Sequence, residues 1–265
     1  MSTLTGEFRL LFWAILGVIV PFGLLLCLLP GQTAVYWAWV IPHPRSALLI
    51  GAAYAGAIAY YVLALRMNDW RQVESGMGGL VLFCLVLLFA TLMHWEAFRP
   101  YHVTTLVWLM FYYVGPFLVP ILSRLQQSRA GVLNFEGTPD LSSAWRLWLI
   151  ARGFLYLTVA LAGLVFTTRL TAAWPWPIDA LELRVFMGQP AIIGWNAVVV
   201  VRDGVTWRRY RLGLVLTGAI GLVQLIGLVI NSTPYDWSRP LGVLLPVVFA
   251  EWCLTSLILH LRYRS

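Results

Sequence analysis

Four polar side chains stand inside runs that are otherwise apolar: Gln189, Asn196, Gln224 and Glu251. Glu251 is the sharpest, ten residues from either end of the run 241–261. A carboxylate at the centre of a membrane span costs about 3 kcal/mol or more to insert. It must face protein or water, find a donor, or take a proton. The sequence offers Gln224, Asn196, Tyr112 and Tyr113 as donors. Thr217, Gly221, Gln224 and Asn231 follow a seven-residue spacing, which gathers small and polar groups on one stripe. Two chemistries fit: a hydrogen-bond network that locks helices together, or a site for a substrate, ion or proton. The four residues are the candidate substrate-binding set.

A second group lies between the runs. His43, Glu96 and His102, with His94 at the end of a run, are metal-ligand types. No HxH or HxxxH spacing joins them, so they read as polar residues at the membrane interface and no metal is expected. The fourth histidine, His260, is also near a run's end, so no haem ligand lies centrally. All 18 basic residues are Arg, which excludes a lysine Schiff base and a phosphate-loop lysine. Cys27, Cys84 and Cys253 lie in apolar runs without CxxC spacing and read as packing residues. There is no GxSxG, HExxH or GxGxxG and no paired catalytic carboxylate, so no catalytic residue, enzyme activity or cofactor is expected. A weaker reading places a cofactor or quinone against Tyr and Trp at the outer face.

The elements that must position these residues are membrane spans. The chain has 265 residues, 60% hydrophobic and 11% charged, with mean hydropathy +0.80. Soluble domains carry roughly 25% charged residues. Eight runs approach the roughly 20 residues that cross a bilayer: 8–29, 46–66, 76–95, 103–122, 147–168, 183–201, 212–230 and 241–261. The first is too long for the core of a cleaved signal and reads as a span. Pro190 reads as a simple kink in the sixth run rather than a helix broken at a site. Thirteen Arg fall with the termini and with the connections after runs 2, 4 and 6, against five on the other side. This bias puts both termini in the cytoplasm of a cell (inner) membrane protein. The net charge of +7 is spread over connections rather than clustered, so nucleic acid is not an expected partner.

The two halves also resemble each other. Adding 137 takes Trp37, Trp39 and Ile41 to Trp174, Trp176 and Ile178. The same offset takes Gly51 to Gly188, Trp70-Arg71 to Trp207-Arg208, and Gly76 to Gly213. The expected fold is an all-α integral membrane protein whose eight transmembrane helices form two parallel tandem repeats of four. Residues 1–130 and 145–265 are the repeats, and 131–144 is a cytoplasmic linker. Trp37, Trp39, Trp174 and Trp176 are expected as anchors at the outer interface, with Trp70 and Trp207 at the inner one. Ala52, Ala55, Gly56 and Ala59 form a small-residue face suited to close helix packing. The halves differ where Gln189, Asn196, Gln224 and Glu251 replace Ala52, Ala59, Leu87 and Val114.

The expected function is an accessory, scaffold or lipid-contacting subunit of a membrane assembly, with lipids and other membrane-protein subunits as partners. The alternative is a carrier of a small solute with its site around Glu251. A cavity between the halves that touches Glu251 would favour the carrier; a filled seam there would count against it.

Overall fold

The computed structural model describes residues 3–203, 206–231 and 233–263. Arg264, counted above among the cytoplasmic cations, lies outside them. The protein is all-helical, 81% helix, without strands among the described residues. Among the described residues eight helices are long and apolar enough to cross a membrane. They are α1 (Gly6–Leu28), α2 (Pro44–Met67), α3 (Trp70–Met93), α4 (Val103–Ala130), α5 (Ser143–Val165), α6 (Ala180–Arg202), α7 (Trp207–Ile230) and α8 (Pro240–Arg262).

The helices extend beyond the apolar runs because polar caps start them. Helix α2 begins at Pro44, whose missing N–H costs nothing in a first turn. The His43 ring accepts from the Arg45 N–H there at 3.3 Å. Helix α3 begins six residues before its run, where the Asp69 carboxylate accepts from the Arg71 N–H at 3.2 Å. The turn between α2 and α3 needs one left-handed residue, and Asn68 supplies it at φ 48°. Helix α6 is interrupted at Met187, between Ala180–Phe186 and Gly188–Asp203. Met187 keeps a right-handed backbone (φ −60°, ψ −17°), so the chain runs on as one kinked course. Pro190 falls in the first turn of the second segment, where a missing N–H is tolerated.

Helix starts keep the offset of 137 in three of the four pairs, and α2 and α6, at 44 and 180, miss it by one residue. Helices α1 and α5 both have 23 residues, and 143 is 137 more than 6. Helices α3 and α7 both have 24, starting at Trp70 and Trp207, and α4 and α8 start at 103 and 240. After α1 and α5 a short helix ends at Tyr36 and at Ala173, again 137 apart.

Packing follows the same exchange. Helix α1 packs on α2 and α5 on α6; α3 packs on α4 and α7 on α8. The inner contacts are α2 with α7 and α3 with α6, and α3 also meets α7. Exchanging α1–α4 for α5–α8 turns each of these pairings into another of them and returns α3 with α7 to itself. Small residues allow the approach. A β-carbon at Gly56 would stand 2.8 Å from the Leu216 carbonyl of α7, so the small face of α2 does pack closely. Gly153 and Gly194 join α5 to α6 reciprocally, each leaving 2.9 Å between a would-be β-carbon and the other's carbonyl oxygen.

Candidate binding chamber

The inner helices do not close completely. A cavity of about 120 Å³ lies among α1, α2, α3, α4, α6 and α7. Its wall is mainly apolar and aromatic, including Ile15, Phe83, Trp108 and Trp195. Its polar groups are Gln189, Asn196, Thr217 and the tyrosines 54, 60, 61 and 112. No ionised side chain and no residue of α5 or α8 lines it.

Gln189 is fully buried. Its Nε2 donates to the Leu49 carbonyl at 2.6 Å, and its Oε1 accepts from Gln224 Nε2 at 2.6 Å. These two bonds fix which end of the amide is which. One N–H and one lone pair then remain for the chamber. Asn196 lies lower on the wall beside Gly213 and makes no hydrogen bond among the described residues. Gln224 lines a separate space of about 20 Å³, shared with Arg45 and Trp176 and large enough for one water. The Arg45 guanidinium there donates to the carbonyls of Asn231 (2.7 Å) and Thr233 (2.6 Å).

The structure therefore gathers three of the four candidate residues and separates the fourth. Glu251 Oε1 accepts from Arg152 Nε at 2.6 Å and from Thr255 at 2.7 Å. Its Oε2 accepts from the Tyr156 hydroxyl at 2.7 Å. The donors expected from sequence, Gln224, Asn196, Tyr112 and Tyr113, do not reach it. Arg152, one of the thirteen Arg assigned to the cytoplasmic side, lies nine residues beyond the start of α5, buried. Without it the Arg bias is twelve to five. The signal was available: Arg152 and Tyr156 are four apart on one helix, as are Glu251 and Thr255 on another.

Glu182 is a second group missed from sequence. The sixth apolar run starts at residue 183, yet Glu182 is buried in the first turn of α6. The Asp179 carboxylate accepts from its N–H at 2.7 Å, the capping pattern D-x-x-E. Neither oxygen of Glu182 makes a hydrogen bond among the described residues.

The six tryptophans named as anchors are all buried. Trp37 and Trp39 meet edge-on at 5.6 Å, and Trp174 and Trp176 at 5.5 Å. Trp176 Nε1 donates to Ser46 of α2 at 3.0 Å, so the second pair is tied to the other half. Trp70 donates to Gln127 at 2.9 Å, and Trp207 stacks on Tyr263. The histidines are dispersed. His43 and His102 cap α2 and α4, and His94 accepts from Arg184. Burial, then Arg45, pushes the His43 pKa down; burial, then Arg184, does the same to His94. Among the described residues no three His, Cys, Asp or Glu gather as metal ligands.

No family, curated protein or solved structure matches this chain.

Proposed function

We propose that the chain is a multi-pass integral membrane protein of two four-helix repeats, and that the chamber between them binds a small, membrane-partitioned molecule. The chamber is the observation that carries this reading. Eight apolar helices are compatible with a multi-pass membrane protein. The recurring offset of 137 and the exchange symmetry of the packing support parallel repeats, related by an axis along the membrane normal. The twelve-to-five Arg bias supports cytoplasmic termini in a cell (inner) membrane. A site at such a repeat interface suits a carrier or binding protein, and it moves the solute site from Glu251 to Gln189 and Asn196. Mass spectrometry of the protein extracted in native lipid discs tests it. A bound small molecule is expected in the wild type and lost in Ala57→Leu, which fills the chamber. Equal occupancy in both would overturn the reading.

An accessory or scaffold subunit, in contact with lipids and other membrane proteins, is the second reading. The observation favouring it is Glu251, whose partners are all internal, together with tryptophans that brace the bundle from within. It predicts a co-purifying protein and an unliganded chamber.

A further inference from the structure

The chamber's donors say what kind of molecule it would hold. We infer that it selects a neutral molecule the size of one six-membered ring, carrying a carbonyl-type hydrogen-bond acceptor; this rests on the chamber being a binding site.

Size sets the first limit. An apolar cavity of roughly 150 Å³ takes up a benzene ring, so about 120 Å³ admits one ring and no phospholipid headgroup. Charge sets the second. The wall holds no Arg, Asp, Glu or His. An ion stripped of water there would meet no counter-charge.

Hydrogen bonding sets the third. Tyr54, Tyr61 and Tyr112 line the chamber, and each is at least nine-tenths buried. The Tyr61 hydroxyl makes no hydrogen bond among the described residues. Tyr54 and Tyr112 line the same corner of the chamber. That pair can share at most one bond, which leaves at least one of its two O–H groups unspent. By contrast, the Tyr60 hydroxyl is engaged with the Val73 carbonyl at 3.2 Å. The corner between α2 and α4 therefore presents surplus O–H donors in an aromatic wall. A buried donor left unmade is costly, so an acceptor is favoured over a hydrocarbon of the same shape.

The test uses the full chain in lipid nanodiscs and saturation-transfer NMR. Cyclohexanone, cyclohexane and tetramethylammonium are the probes, and Ala57→Leu discs give the lipid background. Cyclohexanone should bind the wild type above background and at least tenfold more tightly than cyclohexane. The triple variant Tyr54→Phe/Tyr61→Phe/Tyr112→Phe, which keeps ring volume, should lose most of that preference while still taking up cyclohexane, the Gln189 N–H remaining on the wall. If cyclohexane binds as well as cyclohexanone, or tetramethylammonium binds best, the acceptor class is wrong and the chamber stands. A preference unchanged in the triple variant also overturns the class. If no probe exceeds background, the chamber reading itself falls.

Discussion

Arg152 Nε and Glu251 Oε1 stand 2.6 Å apart in the middle of α5 and α8, outside the chamber. The Arg152 side chain is 2% exposed and that of Glu251 22%. The pair bridges two peripheral helices that pack chiefly on other partners. Arg152 is the buried member, so removing Glu251 leaves a cation without its counter-charge. Breaking a buried pair from one side costs about 3–5 kcal/mol, while replacing both partners with apolar groups is often neutral. Glu251→Leu should destabilise the protein by about 3 kcal/mol, and Arg152→Met/Glu251→Leu should recover most of that. Unfolding in mixed micelles measures both. An unchanged single variant would remove the pair from the packing of α5 and α8.

The Gly153–Gly194 contact predicts a loss from one added methyl group. A β-carbon at Gly153 would stand 2.9 Å from the Gly194 carbonyl oxygen, and backbone cannot swing aside as a side-chain tip can. Gly153→Ala should cost about 1–3 kcal/mol through overpacking. At Gly17 a β-carbon meets nothing within 4 Å, so Gly17→Ala should be neutral or stabilising. Thermal unfolding of the two alanine variants in the same detergent distinguishes the positions.

Hydropathy makes the number and order of the long helices legible, because length and apolar content are local properties. Their ends are less so. The Trp70–Ser75 turn and Glu182 are polar enough to read as connections, yet caps and buried neighbours draw them into helices. Gln189 and Asn196 stand out because the first half carries Ala52 and Ala59 at those positions. The tyrosines of the chamber do not stand out: Tyr54 and Tyr61 share α2 with the small-residue face, and a phenol there reads as ordinary packing. Arg152 illustrates the deeper limit. A cation near a run's start resembles a cytoplasmic flank until its carboxylate partner, 99 residues away, is known. Composition also favours Trp at the interface, whereas these tryptophans fill the space between connections and helices.

Acid should loosen the side that carries His43 and His94. Burial and a neighbouring Arg lower both folded-state values below the ordinary 6.5. The unfolded chain then binds these protons more readily than the folded one. Their contribution is present above about pH 6.5 and is lost as pH falls through the lowered folded values. Protonated His94 could no longer accept from Arg184. The melting temperature should be flat from pH 8 to 7 and fall between pH 6.5 and 5. His43→Asn/His94→Gln, which keeps an acceptor at the α2 cap, should flatten that fall. A fall unaltered by the double variant would assign it to other groups.

Gln189 connects the chamber to the helix contacts around it. Its amide engages Leu49 of α2 and Gln224 of α7 while sitting on α6. Gln189→Leu strands the Gln224 amide and takes a second donor from the Leu49 carbonyl, which keeps its own helical partner. Each unmade buried group costs about 1–3 kcal/mol, although hydrogen bonds between helices in membranes average nearer 0.6. A loss of about 1–2 kcal/mol is expected for the single variant. Gln189→Leu/Gln224→Leu should lose less than the sum of the two singles, because one shared bond is removed only once. Additive losses would show that the two amides act separately. Binding gives an independent readout. Gln189→Leu removes an N–H from the chamber wall, so affinity for an acceptor-bearing ring should fall even in Gln189→Leu/Gln224→Leu, where the stability loss is partly relieved.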